Sequence, residues 1–148
     1  MSVRLAWHYT VPHHGQEIRA CGHIKPATLF VPAGEKPVVW FSLRQFWEPT
    51  ANKAIMRDGT RVPLSMQETW EAAGGACRFG VPAVELLPYR RLKFAANISA
   101  DWAKGLERAA REAGSDVGMF LGSLESVSLD RCVAEMLDVQ AKEWRPWD

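Results

Sequence analysis

A chain of 148 residues with 18 basic and 17 acidic side chains has no overall field to draw it to nucleic acid or an anionic membrane, and its length suits one domain, residues 1–148. Hydrophobic residues make up 47 %, yet no apolar run nears the roughly 20 residues a bilayer needs. Met1-Ser2-Val3-Arg4 also lacks a signal-peptide core, so the expectation is a cytoplasmic protein with no membrane partner.

Val3 to Thr10 alternates Val3, Leu5, Trp7 and Tyr9 against Arg4, Ala6, His8 and Thr10, the period of a strand with one apolar face. His8 and Thr10 then share the face opposite the core. Pro12 opens a short helix that Gly22 stops, and Ile24 resumes extended structure. A Pro- and Gly-bearing loop at 31–36 delivers the chain into a strand at Pro37–Ser42, which carries Val38, Val39, Trp40 and Phe41.

Pro49 suits the first turn of a helix over Thr50–Ala54, and Asp58-Gly59 signals a tight turn in a hairpin or an irregular excursion. Ser65-Met66-Gln67-Glu68 is a capping box for a helix ended by Gly74-Gly75, and Cys77–Val81 reads as a strand stopped by Pro82. Tyr89–Asn97 interleaves Arg90, Arg91 and Lys93 with Tyr89, Leu92 and Phe94 and has no firm class; its cations suit either a solvated face or a phosphate contact.

Ser99 caps an amphipathic helix reaching Ala113, with Trp102, Leu106, Ala109 and Ala113 as its stripe and Glu107–Arg111 as a favourable pair, and its role reads as structural. Ser128–Asp138 reads as a strand, and Trp144–Trp147 as a final edge or loop.

The chemistry-bearing residues narrow the function by exclusion. His8, His13, His14 and His23 match no common zinc spacing, so no metal is expected, and Cys21, Cys77 and Cys132 read as small core residues. There is no Gly-x-Ser-x-Gly elbow and no Gly-rich phosphate loop, which argues against serine hydrolases, kinases and dinucleotide-binding folds. Among the carboxylates, Glu135 lies in the apolar run Cys132–Leu137 and must be paired, on an edge, or facing a cleft, while Glu48 and Glu125 are weaker candidates for the key carboxylate, in loops where a charge costs little.

The order of His8-Tyr9-Thr10, the Gly22-His23-Ile24-Lys25-Pro26 turn, Val39-Trp40-Phe41-Ser42 and a late-strand glutamate resembles the ADP-ribosyltransferase fold, in the branch with the poly(ADP-ribose) polymerases, the tRNA 2′-phosphotransferases and the DNA-modifying bacterial toxins. Trp7–Lys53 also looks like uncharacterised bacterial proteins with the same motifs.

The resemblance implies an α+β fold of two small, mostly antiparallel sheets with surrounding helices, and NAD as the substrate. It also implies that His8 holds an adenosine ribose hydroxyl, that Thr10 helps place the nicotinamide end, and that Trp40 and Ser42 wall the nicotinamide pocket. Arg44, with Arg78 as a second option, would meet the pyrophosphate, and Glu135 would stabilise the ribosyl cation formed as nicotinamide leaves. The acceptor stays open between protein, nucleic acid and small molecule, and a toxin role with an antitoxin partner is implied. Two alternatives stand beside it: a catalytically silent nucleotide- or partner-binding module, and an RNA 2′-phosphotransferase-like enzyme using Arg90, Arg91 and Lys93.

Overall fold

The computed structural model describes residues 3–28 and 31–148; Met1 and Ser2, part of the segment read for a leader, lie outside the described residues. In chain order the elements are β1 (Leu5–Thr10), α1 (Pro12–Cys21), β2 (His23–Ile24), β3 (Val39–Ser42), β4 (Ala54–Arg57), β5 (Thr60–Pro63), α2 (Met66–Ala73), β6 (Cys77–Pro82), β7 (Leu87–Pro88), α3 (Tyr89–Ala95), α4 (Ala100–Glu112), β8 (Phe120–Ser123), β9 (Val127–Ser128), β10 (Val133–Asp138) and β11 (Glu143–Pro146). The fold is mixed α+β. None of the described helices is long and apolar enough to cross a membrane.

Seven strands form one antiparallel sheet in the order β11-β10-β6-β1-β3-β8-β7, with β2–β9 and β4–β5 as separate two-stranded pairs. This differs from the expected two small sheets. The large sheet is nevertheless nearly two, because Trp7–Ser42 is the single register pair joining β1 to β3, against six pairs joining β1 to β6. A four-stranded half and a three-stranded half therefore meet at one point.

Both faces of the sheet are covered, so the face bearing Ala6 and His8 is not open to solvent as the alternation suggested. The registers place Trp7, Tyr9, Ser42, Arg78 and Glu135 on one face and Ala6, Phe41, Phe79 and Val81 on the other. The first face packs with Trp47, Trp70 and Leu137, and the second with Ile24, Val39, Leu121 and Val127. β6 is buried almost throughout because it is central to both cores.

Local chemistry explains the helix ends. Pro12 stands at the start of α1 and Gly22 ends it at φ 83°, a left-handed value that glycine adopts without strain. Ser65 and Glu68 form the reciprocal capping box of α2, and Asp58 (φ 51°) with Gly59 (φ 77°) makes the β4–β5 turn.

Four expectations are corrected. The helix expected over Thr50–Ala54 is only a 3-10 turn, Pro49–Ala51, because Asn52 turns away to hold the Trp47 Nε1–H at 2.8 Å and the Lys53 amide donates to Thr69 Oγ1. The strand expected over Ser128–Asp138 breaks at a 3-10 turn, Leu129–Arg131, capped by the Ser128 side chain, so its two ends join different sheets. Cys77 and Cys132 do pack with the core, but Cys21 is exposed. Glu107 makes no ion pair with Arg111 among the described residues and instead accepts a long 3.5 Å hydrogen bond from Tyr89 Oη.

Candidate functional site

Where β1 and β3 part, a space opens that the sheet cannot fill. His8, one residue past the joining pair, has no Cα partner on β3. Its ring bridges the gap instead, with Nδ1 2.8 Å from the Trp40 carbonyl oxygen and its centroid 5.8 Å from that of Phe41. A carbonyl only accepts, so Nδ1 carries the proton and the neutral ring is left with Nε2 as an acceptor. Burial lowers the His8 pKa from its usual 6.5, outweighing the bond to Trp40, which raises it. His8 is therefore neutral at pH 7.

A partly open cavity of about 330 Å³ lies at this gap. Trp7, His8, Tyr9, Trp40, Ser42 and Phe120 line it from the sheet, Leu106, Ala109 and Ala110 from α4, and Glu48 and Thr50 from the 3-10 turn. Trp40 and Phe120 meet edge-on at 6.1 Å, and Phe41, 2 % exposed, lines the cavity from the core side. Part of the α4 stripe read as structural thus faces this cavity, and Ala109 remains exposed.

Glu48 is the carboxylate at this wall, and it is 5 % exposed. Its Oε1 accepts from Ser42 Oγ at 2.8 Å and Ser115 Oγ at 2.9 Å, and its Oε2 accepts from the Thr50 amide and Thr50 Oγ1, both at 3.0 Å. Arg44 stands alongside, its Nε 3.8 Å from Glu48 Oε1 and donating to Ser115 Oγ, and its Nη2 donating to the Gly114 carbonyl. This network ties β3, the turn and the chain following α4 into one unit. It also fixes the buried carboxylate in one place through four donors, an arrangement that can stabilise positive charge developing on a bound ligand.

No family model matches the chain, and searches of the curated proteins and of the solved structures found no match.

The residues expected from the sequence divide around the cavity. His8, Trp40 and Ser42 line it; Thr10, Arg44 and Glu135 do not. Thr10 sits at the far end of β1 opposite Cys77, and Arg44 is spent on Glu48, Ser115 and Gly114.

Glu135 is held by Arg78, whose Nη2 lies 2.6 Å and whose Nε lies 2.8 Å from Glu135 Oε1. The same guanidinium is stacked between Trp7 and Trp144, at 3.7 and 4.4 Å from their ring centres, and donates to the Gln45 carbonyl and Tyr9 Oη. An arginine 7 % exposed and bonded on all sides is a core strut with no arm free for a pyrophosphate. Glu125 is exposed in the loop after β8. Glu48 carried one signal in the sequence: Glu-Pro-Thr is a carboxylate positioned to cap the turn that Pro49 opens.

Proposed function

We propose that the cavity binds NAD and that the protein is an NAD-dependent ADP-ribosyltransferase whose carboxylate is Glu48 in place of Glu135. The observation that carries this reading is the meeting of His8, Trp40, Ser42 and Glu48 on one cavity at the parting of β1 and β3. At about 330 Å³ it stands at the small end of ligand sites, which suits the nicotinamide ring and its ribose, with the remainder of the dinucleotide outside.

In this reading Trp40 offers its ring face to nicotinamide, and the neutral His8 accepts a hydrogen bond at Nε2 from a hydroxyl of the nicotinamide ribose, in place of the adenosine ribose to which the resemblance assigned it. When the nicotinamide–ribose bond breaks, its electron pair leaves with nicotinamide and positive charge builds on the sugar, facing the fixed Glu48 carboxylate. The acceptor nucleophile then bonds to the same carbon and loses its proton. A toxin or effector role, restrained by an antitoxin, belongs to the same reading and is checked by growth arrest on expression.

The test is nicotinamide release from NAD by the purified protein. Release is expected, with Glu48→Gln reducing it at least 100-fold, the order of one lost electrostatic partner of the transition state. Release that survives Glu48→Gln in a folded protein overturns the assignment.

A second reading is favoured by the saturation of Glu48: each oxygen already accepts two hydrogen bonds, leaving little capacity for a ribose hydroxyl. It makes the domain a silent NAD-binding module, and NAD binding without nicotinamide release is its signature.

A further inference from the structure

We infer that the free edge of β4 is a docking site for a partner protein, which adds a strand bearing a carboxylate at each end of a short apolar run. β4 and β5 form a two-stranded sheet with no third strand, an arrangement that is barely stable in water unless something covers it. The cover is incomplete: Met56 is 68 % exposed and Ile55 37 %.

The register decides which backbone groups are free. Arg57 and Thr60 close the turn at Asp58 and Gly59, and at the other end of the hairpin the Leu64 amide donates to the Lys53 carbonyl at 2.8 Å. Ile55 and Arg57 therefore direct their backbone groups toward β5, while Ala54 and Met56 direct theirs outward, where no backbone partner beyond the hairpin meets them among the described residues. On β5 the outward positions are Arg61 and Pro63, and a proline has no N–H to give.

The large sheet guards its ends by the same device. The Trp147 amide bonds inward to the Ala134 carbonyl, which sets Pro146 on the open side of β11, and β7 is two residues long and ends in Pro88. β4 has no such guard.

Charge selects the occupant. Lys53 and Arg57 flank Ile55 on one face, both exposed, and among the described residues neither has a carboxylate within ion-pairing distance. A second copy of this chain, pairing antiparallel through Ala54 and Met56 of each, would set Lys53 of one copy against Arg57 of the other, and like charges directly opposite repel. A strand with a carboxylate opposite each cation and three apolar residues between them meets both charges and covers Ile55 and Met56. Main-chain hydrogen bonds then supply the affinity and the alternate side chains the selectivity.

The probe is the labelled peptide Ser-Glu-Val-Ile-Val-Glu-Ser, followed by fluorescence anisotropy without NAD. Saturable binding below about 1 mM is expected, about tenfold weaker when lysines replace both glutamates. Lys53→Glu with Arg57→Glu, at two exposed positions, is expected to invert that preference, a result that misfolding cannot produce. Met56→Pro removes an outward N–H and is expected to abolish binding, whereas Arg61→Ala on the β5 edge is expected to change it less than about twofold. The bound peptide is expected to slow amide exchange at Ala54 and Met56 and to leave Arg61 as it was. No saturable binding, equal affinity for the two peptides, or slowed exchange at Arg61 in place of Met56 overturns the inference, as does a dimer of the chain alone that Met56→Pro dissociates. NAD is absent throughout, so the outcome is separate from that of the nicotinamide-release assay.

Discussion

Arg78 and Glu135 are direct register partners across β6 and β10, and the arginine reaches its partner from between the rings of Trp7 and Trp144. A charged pair is thus built into an aromatic core, and the carboxylate that looks catalytic in the sequence is half of a structural strut. Glu135→Gln is expected to destabilise the fold by about 3 kcal/mol in urea titrations, since it leaves the arginine charge uncompensated. Arg78→Lys is expected to cost a similar amount, because an ammonium cannot reach Glu135, Tyr9 and Gln45 together. In the folded fraction, NAD binding is expected to persist.

His8 makes stability depend on pH in a defined window. Its pKa is lowered in the folded protein from 6.5, so the unfolded chain binds its proton first as pH falls. The contribution is complete above about 6.5 and is lost as pH falls through the folded value. Glu68 and Asp138, whose pKa values are also lowered, add their losses only from their usual values of 4.5 and 3.8 downward. Stability measured from pH 7 to pH 5 is therefore expected to fall in the natural protein and to flatten in His8→Gln; an unchanged slope in the variant contradicts the burial of a neutral His8 ring.

Glycines separate close packing from open helix surface. A Cβ at Gly15 would run into Cys77 Sγ and stand 3.1 Å from Trp147 Cζ3, and one at Gly80 would lie 2.7 Å from Trp7 Cζ3. Gly15→Ala and Gly80→Ala are each expected to cost about 1–3 kcal/mol. Gly105, on the exposed side of α4, has nothing within 4 Å, so Gly105→Ala is expected to stabilise by up to about 1 kcal/mol. Thermal unfolding of the three variants should move in these opposite directions.

The polar knot around Glu48 predicts a graded response. Ser115→Ala removes one of four hydrogen bonds to the carboxylate and one acceptor of Arg44, and is expected to cost about 1 kcal/mol. Arg44→Ala is expected to loosen the chain after α4, read as faster amide exchange at 113–116, with little change in sheet stability.

What the sequence disclosed was mostly local chemistry. Pro12 and Gly22, the Ser65–Glu68 box and Asp58-Gly59 each act within a few residues, and each marks its element closely. β8 was invisible because Phe-Leu-Gly-Ser does not alternate; its Gly122 is demanded by Val38 and Leu92, which crowd the space a Cβ would take. Of the cavity lining, the shared strand face of Trp40 and Ser42 was legible from alternation, while His8 entered only through the resemblance. Glu48 stood in the sequence only as a weaker candidate at a turn, because its partner Ser115 lies 67 residues away, and a loop carboxylate gives no hint that distant hydroxyls will close over it.

The proposed NAD site is tested most directly by following the indole N–H resonances of the seven tryptophans during titration with NAD. The Trp40 resonance is expected to shift most, while Trp144 and Trp147, outside the cavity lining, stay in place. A silent Trp40 at saturating NAD, or a largest shift at Trp144 or Trp147, contradicts the site proposed between β1, β3 and α4.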